Sequence, residues 1–169
     1  MYACAWIAAL LPAVTSAAQL WEEPRLGSAI GALDRSRYVC ATVEIQARCR
    51  QASSGELFEV PTREQTLIYL DGRLDQVHTA FDEDRFEQML QALEARLGRG
   101  ELSTELLRAG MGGVFPSRLA IWRLDDEIVL LEQYSDRITR SAIWIMGPGS
   151  FAEMMSARDR QRVRGVRDL

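Results

Sequence analysis

The sequence predicts an α+β domain: a single antiparallel β-sheet with a central amphipathic helix packed on one face, plus short N-terminal and C-terminal helices. Three observations carry this reading. Two tight hairpins imply antiparallel pairing, and one of them is closed by Asp71-Gly72, a pair suited to the positive φ of a type I′ turn. Phe86, Met89, Leu90, Leu93 and Leu97 recur at helical spacing and make one apolar stripe. Runs of strands lie on both sides of that helix, without the strict strand–helix alternation of a parallel sheet.

Met1 to Ala18 carry no charged side chain, hold an apolar run from Ala3 to Val14, and close on Thr15, Ser16, Ala17 and Ala18. That is the layout of a secretory signal peptide, with a cut expected after Ala18. The usual Lys or Arg at the start is missing, and a wrongly assigned start codon would explain the gap. An uncleaved N-terminal anchor is the rival, disfavoured because about 20 apolar residues normally span a bilayer; a buried core helix is the third reading. Cys4 follows no lipobox-like run and stands too early for lipid attachment. The expected product is soluble and periplasmic, without stable membrane insertion after cleavage. The domain layout is a signal peptide over 1–18, a linker over 19–25, an α+β domain over 26–150, and a C-terminal helix with a basic tail over 151–169.

The roughly 150 residues left after cleavage suit one domain with a real hydrophobic core. All 20 basic residues are Arg, which reads as the mark of a GC-rich bacterial genome, and the net charge is −4. An acidic chain argues against bulk nucleic-acid binding. Charge is unevenly placed, with five Arg against two Asp from Ser156 to Leu169. Removing Cys4 with the signal leaves Cys40 and Cys49, an even pair that reads as a disulfide in an exported chain. Closing so short a loop contributes about 2.5–3 kcal/mol in the chain-entropy model. The alternative is a redox or metal site, but two cysteines and one distant His are poor zinc ligands. No metal and no cofactor is expected.

Along the chain, Ser28 offers a cap for a short helix reaching about Ser36. Tyr38 to Cys49 carries a strand signal, Arg50 to Pro61 reads as a loop with a little strand at Leu57-Phe58, and Thr66 to Thr79 is the clearest hairpin, with Tyr69 beside Leu74. Asp84 and Glu87 form a capping-box-like pair for the helix that follows, and Gly98 stops it. Glu101 to Leu107 reads as a further short helix capped by Ser103. Gly110-Met111-Gly112-Gly113 must be irregular, with Phe115-Pro116 ending it. Leu119–Leu124 and Ile128–Gln133 flank the turn Asp125-Asp126, Ile138 to Met146 makes a third strand, and Phe151 to Val166 is the last helix.

The candidates for chemistry are few. His78 is the single histidine, so a base working near neutral pH must be this imidazole or a tuned carboxylate. Alternation along a strand separates it from Asp75, so it reads as an ordinary strand histidine. Gly147-Pro148-Gly149-Ser150 lacks the Gly-x-Ser-x-Gly elbow and reads as a turn with Ser150 as a helix cap. The glycines at 110–113 lack the Gly-Lys-Ser/Thr of a phosphate loop. Asp82, Glu83 and Asp84 lack the glycine and distal glutamate of a calcium loop and suit a helix N-terminus. Asp125-Asp126 reads as turn chemistry. Trp122, Trp144, Tyr69 and Phe86 read mainly as core aromatics. Ile121, Trp122, Ile143, Trp144 and Ile145 are the residues for a binding surface, should one face of the sheet be uncovered.

Tyr-Leu-Asp-Gly-Arg-Leu at 69–74, Ala-Arg-Leu-Gly at 95–98 and Ile-Trp-Arg-Leu-Asp-Asp-Glu-Ile-Val-Leu at 121–130 together resemble small, uncharacterised exported proteins of proteobacteria. The resemblance covers about Leu26 to Met146 and implies a periplasmic α+β domain, with no catalytic residue to carry over. There is a looser similarity to outer-membrane-assembly lipoproteins, from which this chain departs in lacking a lipobox cysteine.

These readings lead to a periplasmic domain, most simply non-enzymatic, that binds an envelope protein or a small ligand through its sheet face or through loop 108–118. The alternative is a small periplasmic hydrolase using His78 or the carboxylates at Asp125-Asp126. Export predicts a mature chain beginning at Gln19, with Cys40 and Cys49 joined. N-terminal sequencing and intact mass with and without reductant check both, and a product starting at Met1 with free thiols refutes both.

Overall fold

The structure, a computed structural model, describes residues 24–52, 55–108 and 113–167. The signal peptide, most of the expected linker, and residues 109–112 of loop 108–118 lie outside the described residues. Nine strands form one antiparallel sheet, built as two meanders. In the first, β1 (Val39–Val43) pairs with β2 (Gln46–Ala52), β2 with β4 (Val60–Leu70), and β4 with β5 (Arg73–Asp82), while the two-residue β3 (Glu56–Leu57) hairpins onto the start of β4. Helix α1 (Phe86–Leu97) then carries the chain to the far edge. The second meander runs back through β6 (Glu101–Arg108), β7 (Val114–Arg123), β8 (Ile128–Glu132) and β9 (Arg140–Met146), and β9 pairs with β5 to join the halves. Helix α2 (Pro148–Arg167) follows.

This architecture overturns the expected α+β fold with a central helix. The sheet is the frame, and α1 supplies four of the eighteen buried residues in the larger core cluster, strands the other fourteen. The expected N-terminal helix is a three-residue 3-10 turn, Ile30–Ala32, with no side-chain cap. Glu101 to Leu107 is a strand: its helical composition yields to eight registered pairs with β7. Phe115-Pro116 lies inside β7, where β8 stops opposite Leu119 and Pro116 has only β6 beside it. The stretch 38–61, expected as one strand and a loop, folds into two hairpins. Their turns place Glu44 in one, and Phe58 and Glu59 in the other, at positive φ.

Other expectations match. Asp71 and Gly72 both have positive φ, and Tyr69 stands opposite Leu74. Gly98 ends α1 at φ 78°, its N–H donating to the Glu94 carbonyl. The predicted capping box does not form. A 3-10 turn over Glu83–Arg85 precedes α1, and Glu87 pairs with Arg118, whose guanidinium lies over the Phe86 ring.

Side chains alternate between two faces. On the first, Leu67, Tyr69, Val77, Trp122, Val129 and Ile145 bury against Phe86, Met89, Leu90 and Leu93 of α1. Leu26, Ile30 and Leu33, from the segment before β1, pack at the margin of that core. On the second, Leu119, Ile121, Ile128, Leu130 and Met146 pack under Phe151, Met154 and Met155 of α2. Two register shifts let β4 and β5 stay in phase, one leaving Arg63 and the other Asp75 as the extra residue. Asp75 accepts the Ser150 hydroxyl at 2.8 Å and pins the start of α2 to β5. Among the described residues no helix is long and apolar enough to cross a membrane.

The α1–β6 connection sits close on Trp122. The indole N–H donates to the Gly98 carbonyl at 2.8 Å, and a Cβ at Gly100 would stand 2.7 Å from the ring. The ring is buried and rigid, so Gly100→Ala forces the connection off the indole. It is expected to cost about 1–3 kcal/mol, seen as a lower midpoint in chemical denaturation. An unchanged midpoint would show that the connection moves freely.

Candidate functional site

Helix α2 covers only the half of the second face built by β7, β8 and β9. The other half is open, and there a groove of about 830 Å³ lies over β1, β2, β4, β5 and the edge of β9. One ladder row crosses it: Val39, Arg50, Thr66, His78 and Trp144 stand opposite one another on successive strands. The same row continues to Leu130 and Ile121 under α2. The adjoining row contributes Ala41, Arg48 and Ile68. The loop before β9 adds Ser135 and Asp136, and the first residue of β9 adds Arg140, at one end.

The floor is largely uncharged. His78 lies against Trp144 with ring centroids 4.2 Å apart, and its Nε2 is buried with no hydrogen-bond partner. Burial lowers the imidazole from its usual value near 6.5 to about 4, against the opposing pull of Glu64 and Asp136. It is therefore neutral at pH 7. The rim carries the charge. Arg50 pairs with Glu64, Arg140 pairs with Asp136 at 3.1 Å, and Arg48 contacts the Gln46 amide oxygen at 3.2 Å.

Trp144 joins the groove to the ground beneath α2. Its indole N–H donates to Glu132 at 3.3 Å, and Glu132 holds Arg158 of α2 at 2.5 Å. Arg158 also reaches Glu105 on β6 at 3.7 Å. Burial pushes the Glu132 carboxyl above its usual range, and Arg158 and Trp144 pull it back.

The five residues expected to form a binding surface are divided by alternation. Trp122, Ile143 and Ile145 are buried on the first face, and Ile121 is buried under α2. Trp144 alone reaches the groove. Asp125 and Asp126 lie in the turn between β7 and β8 and do not line it. Cys40 and Cys49 stand directly opposite on β1 and β2 at disulfide-bonding distance, with Cys49 buried against the first-face core. Ser150 holds Asp75 and stands inside α2, in place of the expected cap. Sequence reading missed Arg48, Arg50, Glu64 and Thr66. The signal for the two arginines is the alternation Ala-Arg-Cys-Arg at 47–50, polar on one side and apolar on the other, once that stretch is recognised as a strand; Glu-Gln-Thr-Leu-Ile at 64–68 carries no such alternation. Among the described residues no group of three His, Cys, Asp or Glu stands ready to hold a metal ion.

The folded His78 value lies below the unfolded one, so as pH falls the unfolded chain takes up the proton first. Stability from the neutral ring is full above about 6.5 and is lost as pH falls through that value toward 4, by about 3 kcal/mol. Proton NMR of the single imidazole should titrate near 4, and His78→Gln should flatten the fall in stability over that window. A midpoint near 6.5 would contradict the burial.

No family model matches the chain, and no curated protein or solved structure does either.

Proposed function

We propose that this chain is an exported, non-enzymatic binding domain and that the open half of its second face takes a small ligand. The observation that carries this is the groove itself. Its volume of about 830 Å³ lies within the roughly 300–1,000 Å³ usual for small-molecule sites. It joins a largely uncharged floor to polar groups from several strands. A concave site of that size favours a small ligand over the broad, flat contact of an envelope protein.

Export is supported by the short apolar N-terminal stretch and by the Cys40–Cys49 pair at bonding distance, which suits an oxidising compartment. The hydrolytic alternative draws less support. The Nε2 of His78 is buried and unpartnered, and the Asp125-Asp126 turn does not join it at the groove. A general base must come within hydrogen-bond reach of the proton it takes.

A fragment screen by NMR tests the site. Binders are expected to move the His78 and Trp144 resonances together, and Trp144→Ala should weaken them about tenfold, the scale of a lost stacking platform. Hits that leave both rings unmoved, or turnover of a bound fragment that His78→Gln abolishes, would overturn the reading.

A further inference from the structure

Resting on that reading of the groove as a ligand site, we propose that its occupant is a small organic anion with a flat apolar body, the charge held by Arg48 and Arg50 and the body lying over Thr66 against His78 and Trp144. The ladder row sets the span. Arg50 and His78 are two strands apart and Arg50 and Trp144 three, which at about 4.8 Å per strand is roughly 10–14 Å. Long arginine side chains shorten that reach, so a bicyclic acid bridges rim and floor.

Charge complementarity selects the anion. Three guanidiniums face two carboxylates around the groove, in a chain whose net charge is −4. The groove is thus a positive spot on an acidic protein. Arg48 is exposed and donates to the neutral Gln46 amide oxygen at 3.2 Å. Arg50 has a carboxylate partner, but its side chain is 64% exposed. Exposed ion pairs are weak, so Arg50 can turn from Glu64 to a ligand at small cost. Guanidinium forks match carboxylate and phosphate oxygens, the shared chemistry of either source. The floor supplies the other half. The neutral imidazole and the indole lie with centroids 4.2 Å apart and planes inclined at 44°, flanked by Ile68 and Ala41, and an aromatic body packs well against such rings, face or edge.

The test uses the purified chain at pH 7 with three probes of one shape: 2-naphthoate, 2-naphthyl phosphate and neutral 2-naphthamide. The two anions are expected to shift the His78 and Trp144 resonances and to bind at least about tenfold tighter than the amide. The tighter anion tells carboxylate from phosphate. Arg48→Gln and Arg50→Gln, each checked for an unchanged melting temperature, should remove that preference and leave amide binding as it was. If the amide matches the anions at the same two rings, the anion assignment falls and the groove stands. If no probe moves either ring, or the shifts fall only elsewhere, the assignment and the groove reading fall together.

Discussion

The second meander must be covered on both sides, and the rest of the molecule is arranged around that constraint. Strand β8 is buried at every position, with Val129 and Leu131 facing α1, and Ile128 and Leu130 facing α2. A strand like that cannot exist at a water-facing sheet, since each side chain left wet forgoes about 1.5–3 kcal/mol. Helix α1 satisfies one side on its way between the meanders. Helix α2 returns at the end of the chain to satisfy the other. The first meander is largely apolar on its first side but mixes Val39, Ala41 and Ile68 with Arg48, Arg50, Glu64 and Thr66 on its second, so only the first side needs a full cover.

The groove therefore begins where α2 ends its reach, and Trp144 marks that line. One surface of the indole belongs to the groove, while its nitrogen bonds Glu132 beneath α2. Glu132, Arg158 and Glu105 form a charged cluster with little exposure. Such clusters are poor sources of net stability, because desolvation offsets most of the attraction. Their geometric effect is stronger: breaking one partner strands a buried charge, so the helix has one favoured seat. The position of the Trp144 ring follows from that seat.

How far the sequence could be read depended on turn chemistry. The hairpin at Asp71-Gly72 was legible because those residues accept positive φ cheaply. The two hairpins before it were not, because Glu44, Phe58 and Glu59 adopt positive φ at a cost that tertiary contacts cover. Phe58 packs beside the first-face core and lies under the Arg96 guanidinium, contacts no local pattern announces. Strand β6 was hidden for a different reason. Its composition suits a helix, and only its partner β7 fixes it as a strand. With those strands misread, the arginine rim could not be assembled from sequence. The expected surface failed on simpler grounds: Ile121 and Trp122 are neighbours on one strand, so they could never share a face.

The cysteines bear on a different hazard. Strand β1 is the outermost rail of the first meander, with Val39 and Val43 exposed along it, and such rails invite exchange with a neighbouring molecule. Where the sulfurs of Cys40 and Cys49 are joined, the rail is bolted to the strand inside it and an incoming chain cannot swap into its place. It can only add outside. The bolt sits at the hairpin whose loss would strip the outer wall from the groove, so thiol reduction would open the molecule to entanglement and unmake the groove in the same event.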